Sequence, residues 1–501
     1  MDLVTAFSQA YDRADGYPCL LGKGWGISLP EVGRRASIFA SRLQKRMEEE
    51  EEYVGILLPN TPDFIISFWG VLFAEKTVIP LNFMLRPAEI ACMIEDSGCR
   101  TVITSKKFAP VIHALEKEYE FSLKTLYIDE MDWERQFRNP EGIDISEITE
   151  REKAEEYPAV LLYTSGTTGP CKGVVLSHAN ILSNLEGCRD VLEISPGDTF
   201  LGVLPYFHSF GKTTSFLLPM LSSARIVFCD SLQPSDILEI INDFKVTIAV
   251  LVPSIFGLLL KHPYLQKIGL DSIRIAVSGG GPLPPVLETA FEKITGKPIH
   301  NGYGLTEASP VVSVNQPRAR KTGSVGIPLS NVTVTIHDEE GEILPAGAIG
   351  EIYVKGDNVM KGYLGREEET RAVITENGAL RTGDLGFLDS EGYLFITGRK
   401  KELIICGGEN IHPLEIENVL CAHPSVEEAA VIGVPDKKRG EHPRAFVKLK
   451  DGCVASGQEM RKFCNEHIAK YKIPREFVFV SDFPRNTIGK ILKRKLTEIH
   501  H

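Results

Sequence analysis

The chain predicts an α/β fold in unequal parts. A large N-terminal part carries two α/β sheet subdomains and a β-rich subdomain, and a small α+β part follows. Three observations predict this. From Tyr53 onward, short β-branched runs alternate with helical stretches, the pattern of parallel strands with crossover helices. Near Gly323 the pattern gives way to glycine-punctuated short strands. The length, 501 residues, exceeds the ~250–300 residues over which one core keeps growing.

The elements follow in order. The basic amphipathic stretch 34–46 ends in the acidic run Glu48–Glu52 and reads as a solvated helix end. Residues 54–58 form a strand, 62–74 a helix, 77–81 a strand, a helix follows Pro87, and 100–104 is the next strand. Past a glycine-rich loop, Ser177 caps a helix running to Leu192. Runs 225–229, 247–252 and 273–277 read as buried strands. Strands 332–336 and 349–354, with a turn at Glu339-Glu340-Gly341, mark the β-rich portion at about 323–396. After Lys401 come a strand at 403–406, a helix at 413–420, strands at 429–434 and 444–449, and a helix at 458–471. The expected domains are therefore 1–398 and 399–501.

Composition narrows the function. Hydrophobic content of 43% and charged content of 24% exclude a disordered, collagenous or coiled-coil chain. A net charge of -12 argues against an electrostatic nucleic-acid binder. There is no apolar run of ~18 residues, so no membrane span is expected, while a peripheral membrane contact stays open. Ten cysteines form no C-x-x-C pair, which gives no support to zinc or a redox dithiol. With no apolar signal core at the start, they read as structural thiols in a reducing cytoplasm.

The strongest local feature is Thr164-Ser-Gly-Thr-Thr-Gly-Pro-Cys-Lys-Gly173. Thr164, Ser165, Thr167 and Thr168 bring hydroxyl donors. Gly166 and Gly169 let backbone N–H groups turn toward an anion, and Lys172 adds positive charge. The set suits a triphosphate tail. It is not a Walker loop: Cys171 stands where that motif requires glycine, and Gly173 where it requires a metal-binding hydroxyl. The following residues 174–176 also read as a strand, so no helix N-terminus faces the phosphates. A surface hairpin is the plain alternative.

Other segments carry chemistry by residue type. Asn301-Gly-Tyr-Gly-Leu-Thr-Glu307 offers the flat face of Tyr303 to adenine, the Thr306 hydroxyl to an α-phosphate, and Glu307 as a hard oxygen ligand for Mg²⁺. Asp384, in Arg381-Thr-Gly-Asp-Leu385, could accept both ribose hydroxyls, although such turns are common. Ser278-Gly-Gly-Gly-Pro-Leu283 stands at a strand end, where open α/β sheets bind ligands. His208 lies in the apolar segment Leu204-Pro-Tyr-Phe-His-Ser-Phe-Gly211 and reads, on composition alone, as a core histidine. Cys406-Gly-Gly-Glu-Asn-Ile411 permits close backbone approach or forms a bulged hairpin.

The phosphate loop resembles the signature loop of the adenylate-forming superfamily, which holds acyl-CoA synthetases, peptide-synthetase adenylation domains and firefly luciferase. The resemblance extends through Lys490 and so covers nearly the whole chain. It implies that His208 and Gly279 face the acyl group, that Gly280 and Gly281 border the nucleotide, and that Asp384 and Arg399 hold the ribose. It implies a hinge at Lys401, a pantetheine tunnel lined by Gly407 and Gly408, and a catalytic lysine at Lys490 within Phe483-Pro-Arg-Asn-Thr-Ile-Gly-Lys490. Asn486-Thr487-Ile488 departs slightly from the commoner triplet there.

The implied activity is ATP-dependent acid–CoA ligation. A carboxylate attacks the α-phosphate of ATP, pyrophosphate leaves, and the acyl-AMP then passes its acyl group to the CoA thiol. Such chemistry needs positioning and cations more than covalent help. Lys172, Thr306, Glu307 and Lys490 are the expected catalytic set, with ATP, Mg²⁺ and CoA as cofactors and substrates. The apolar segments 206–210, 251–256 and 310–314 contain no Asp or Lys and favour a medium-to-long fatty acid. An aryl acid, an acyl-carrier-protein acceptor and a non-catalytic acyl-nucleotide binder remain alternatives.

Overall fold

The computed structural model describes residues 1–133, 154–164, 171–265, 269–407, 409–436, 438–485 and 489–497. Among these, four sheets carry the fold. The first has seven strands. Thr77–Pro80, Tyr53–Leu57, Thr101–Thr104 and Lys124–Tyr127 run parallel, and Pro158–Thr164 joins Thr77–Pro80 in the same direction. Lys172–Ser177 then folds back antiparallel, pairing Thr164 with Lys172, and Gly362–Tyr363 closes that edge.

The second sheet has nine strands with a parallel centre: Ile299–Gly304, Ile275–Ser278, Ile248–Leu251, Thr199–Gly202 and Arg225–Phe228. Every residue of Ile248–Leu251 and Ile275–Ser278 is buried, as continuous apolar runs covered on both faces require. Between the first two sheets the helix Pro62–Phe73 is buried from Phe64 to Phe73, because it meets protein on all sides. Its Phe64, Phe68 and Trp69 rings pack against Phe216 and, through Phe64, against Tyr206. Ser177 caps the helix His178–Leu192 as expected: its Oγ accepts from Asn180 N at 3.2 Å, and Asn180 Oδ1 accepts from Ser177 N at 2.9 Å.

Thr333–His337, Gly350–Lys355, Leu380–Leu388 and Leu394–Arg399 make an antiparallel third sheet. The short turn Lys400–Glu402 leaves it, and Ile404–Cys406 already belongs to the fourth sheet, with Glu409–Ile411, Val426–Asp436, Gly440–Leu449 and Glu476–Phe479.

Several details differ from the sequence reading. Tyr303 ends a strand, Ile299–Gly304, and Asp384 lies inside the strand Leu380–Leu388; in both, neighbouring strands override the local glycines. The helix at 457 ends at His467, where Ile468 turns extended, short of the expected Tyr471. The cysteines are not all thiols: Cys92, on the helix Pro87–Ser97, forms a disulfide with Cys171 beside Lys172. Among the described residues no helix is long and apolar enough to cross a membrane.

Candidate active site

Strand ends and one short helical turn collect the predicted residues. The turn Thr306–Ala308 follows the strand Ile299–Gly304. Its carbonyl at Ala308 accepts from Asn358 Nδ2 at 2.9 Å, and Met360 N donates to the Glu307 carbonyl at 2.9 Å. These bonds fix the backbone turn that carries Thr306 and Glu307. The Thr306 hydroxyl lies 3.1 Å from that of Ser209, next to His208. The Tyr363 hydroxyl donates to Glu307 Oε1 at 3.1 Å. Glu307 thus presents one oriented carboxylate, a donor set that suits a hard cation arriving with phosphate oxygens.

A second cluster forms across the third sheet. Tyr303 donates its hydroxyl to Asp384 Oδ2 at 2.6 Å, and Arg399 Nε meets Asp384 Oδ1 at 3.1 Å. Asp384 and Arg399 face each other in the strand register. Burial and the Asp384 charge both hold the Tyr303 hydroxyl protonated, pushing its pKa well above the usual tyrosine value.

Lys172 begins its strand and pairs with Glu369, its Nζ lying 5.5 Å from the centre of the Tyr363 ring. Lys172, Tyr363 and Glu307 therefore line one continuous wall. Ser165, Gly166, Thr167, Thr168 and Gly169 lie outside the described residues, as does Gly408; of Thr164 only the strand position is described.

Lys490 comes from the far end of the chain. Arg485, paired with Glu428, donates to the Gly489 carbonyl at 3.0 Å and shapes the loop that carries it. Gly489 has φ +80°, and a Cβ there would lie 2.9 Å from Ser254 Oγ, so only glycine admits this approach to the large part. Lys493 ties the same segment down between Glu402 at 2.9 Å and Glu417 at 2.8 Å. Burial, then the nearby Arg399 charge, push Lys490 down to about 8, against the opposing pull of Glu402 and Asp384. His208 feels the Lys490 charge directly: burial, Lys490 and Lys212 push it down to about 4. Lys401 lies in the Lys400–Glu402 turn, and burial and Arg399 lower it too.

In the segment expected to face the acyl group, His208 caps the short turn Ser209–Gly211, its Nδ1 accepting from Phe210 N at 3.2 Å. A Cβ at Gly279 would lie 2.6 Å from the Phe210 ring, which explains the glycine there. Gly280 also approaches Phe210, and Gly281 faces open space.

Two features escaped the sequence reading. Lys212 is wholly buried one turn beyond His208, just past the apolar segment taken to lack a charge. A groove of about 840 Å³ opens in the fourth-sheet region beside Cys406, lined by Arg439, Lys462, Lys470 and Arg475 with Tyr471. The first was signalled by a lysine inside an apolar helical run. The second had no local signal, because its cations come from separate elements. The adjoining Gly407 has φ +64° and donates to the Arg439 carbonyl at 2.7 Å, at the tip of the hairpin joining Ile404–Cys406 to Glu409–Ile411.

This arrangement has known counterparts. Residues 7–364 match the AMP-binding enzyme family, and residues 415–490 match the AMP-binding enzyme C-terminal domain. The chain belongs to this adenylate-forming superfamily. Within the superfamily it is an AMP-forming acid–CoA ligase of acyl or aryl acids. It is 36% identical to a long-chain-fatty-acid–CoA ligase of Bacillus subtilis (strain 168), over 95% of this chain and 91% of that one. It is 33% identical to 4-coumarate–CoA ligase CCL1 of Humulus lupulus, over 98% of this chain and 91% of that one. Among solved structures it matches ATP-bound MatB from Rhodopseudomonas palustris with TM-score 0.91 and 30% identity, over 99% of both chains.

Proposed function

We propose that the chain activates a fatty or aryl carboxylic acid with an apolar body and transfers it to CoA. The observation that carries this reading is the meeting of Lys490 with His208, Asp384 and Arg399, groups from separate segments of the chain. In the first step Lys490 stabilises charge between the acid's carboxylate and the α-phosphate, and Thr306 donates to that phosphate. Asp384 and Arg399 hold the ribose, with Tyr303 against the adenine. Lys172 leaves Glu369 for the outer phosphates. Glu307 would hold Mg²⁺, which when bound would supply positive charge for the leaving pyrophosphate.

In the second step the segment 399–501 turns about Lys401, withdraws Lys490, and brings the Gly407–Gly408 hairpin to the acyl carbon. The basic groove beside Cys406 suits the phosphates of the CoA nucleotide, and Tyr471 offers it a flat face. The acid's body rests on the apolar wall around Phe210 and Gly279. The test is a panel of alkyl and aryl acids with ATP and CoA, scoring products. AMP, pyrophosphate and acyl-CoA are expected; ADP and orthophosphate would overturn the reading.

A further inference from the structure

Two cations flank His208, and no carboxylate opposes either effect on it. One is Lys490, which the proposed reaction employs. The other is Lys212, whose backbone N–H donates to the His208 carbonyl at 2.9 Å, so it stacks one helical turn beyond His208 on the same face. It opens a π-helical turn, Lys212–Leu217, an irregularity that often accompanies functional sites. Its side chain is 0% exposed, and its Nζ has no hydrogen-bond partner among the described residues. Burial alone pushes it down to about 7, with no carboxylate countering.

A lysine buried for structure looks different in this same chain. Lys493 is closed in by Glu402 and Glu417, and their charges raise its pKa against burial. An ammonium without such partners is among the costliest groups to bury, and it either gives up its proton or is completed by a bound anion. The neighbours of Lys212 are occupied elsewhere: Thr213 donates to the Ser309 carbonyl at 3.2 Å and Thr214 to the Phe210 carbonyl at 2.7 Å.

We infer that Lys212 is a specificity-determining residue, and that the acid activated here carries a second carboxylate, which pairs with Lys212 Nζ while the first reacts beside Lys490. This rests on the acid–CoA ligase reading and names its substrate class: a dicarboxylic acid with an apolar span between its two ends.

The test compares acids in matched pairs: butanoate with butanedioate, hexanoate with hexanedioate, octanoate with octanedioate, and benzoate with isophthalate. Acid-dependent pyrophosphate release is measured for the wild-type chain and for Lys212→Met and Lys212→Gln. In the wild type one diacid should exceed its monoacid in kcat/KM by roughly tenfold or more, the scale of one charge-assisted hydrogen bond. In both variants that ratio should fall by a similar factor, mainly through KM for the diacid. Removing a buried charge for a near-isosteric methionine should leave the protein folded, and a melting curve checks this; the glutamine variant covers a methionine that fails to fold. A wild type that prefers the monoacid in every pair overturns the inference, and so does a variant that slows both members of a pair equally. Pyrophosphate release with none of the acids would instead strike the ligase reading itself, and this inference with it.

Discussion

The proposed nucleotide side and the proposed acyl side of the site are charged on opposite plans. On the nucleotide side each charged group already has a partner: Asp384 with Tyr303 and Arg399, Glu307 with Tyr363, Lys172 with Glu369. On the proposed acyl side no acid offsets the effect of Lys490 and Lys212 on His208, and no carboxylate counters the burial of Lys212 itself. The first plan makes ATP binding an exchange of partners, which holds side chains in place and lets go of them cheaply. The second leaves the Lys212 Nζ without a hydrogen-bond partner among the described residues, a place for the organic acid to fill. On the inference drawn for Lys212, selectivity for the acid would be built from charge as well as from apolar shape.

The largest expected effect tests which plan Lys490 belongs to. Lys490→Ala should slow acyl-AMP formation by roughly 3 kcal/mol or more, the loss of one preorganised transition-state donor. Transfer from supplied acyl-AMP to CoA should be nearly spared. Pyrophosphate exchange and acyl-AMP consumption, measured separately, decide it; if both fall together, Lys490 is not confined to the first step. Next in size is Asp384→Asn. It weakens the bonds of a charged acceptor, so KM for ATP should rise by an amount equivalent to about 1.5–3 kcal/mol while KM for the acid holds. An equal rise in both would mean that Asp384 supports the wall shared by the two halves.

The pH profile sharpens the contrast further. Lys490 is pushed down to about 8, so its charged fraction is lost as pH rises through that value, well before an ordinary lysine would lose it. In the adenylation step kcat/KM for ATP should therefore fall above about pH 8. Lys490→Arg stays charged and should push that fall to higher pH. His208 is pushed down to about 4 and stays neutral above that, so it adds no acid limb near neutrality. The smallest effect concerns Lys172. Glu369→Gln frees it from an exposed partner and should lower KM for ATP severalfold, more so at low salt. A rise in KM would show that Glu369 orients Lys172 rather than competing for it.

Much of this was legible in the residues. The strands at 54–58, 77–81 and 100–104 emerge within a residue or two as Tyr53–Leu57, Thr77–Pro80 and Thr101–Thr104, because sheets buried on both faces leave continuous apolar runs. Lys172, Tyr303, Thr306 and Glu307 stood out because each sits in a short segment of unusual composition, whereas Asp384, Arg399 and Lys490 stood out only through the family resemblance. Their pairings did not, since Tyr303 meets Asp384 across 81 positions and Glu307 meets Tyr363 across 56. Lys212 was hidden by its apolar neighbours, and the basic groove by the distance between its cations. The disulfide was hidden because two cysteines 79 residues apart carry no spacing signature.

That disulfide has a consequence for the chain's conformational entropy. Joining positions 79 apart removes freedom from the unfolded chain, on the order of 4 kcal/mol for a loop of this size. It also anchors Cys171, the residue before Lys172, to the helix Pro87–Ser97 whether or not nucleotide is bound. If Lys172 binds the ATP phosphates as proposed, part of the ordering it requires on meeting ATP is thereby completed during folding. Reduction of the bond should consequently lower the melting temperature and weaken ATP binding together, linking the affinity of the nucleotide site to the redox state of a pair of sulfurs that no substrate atom need touch.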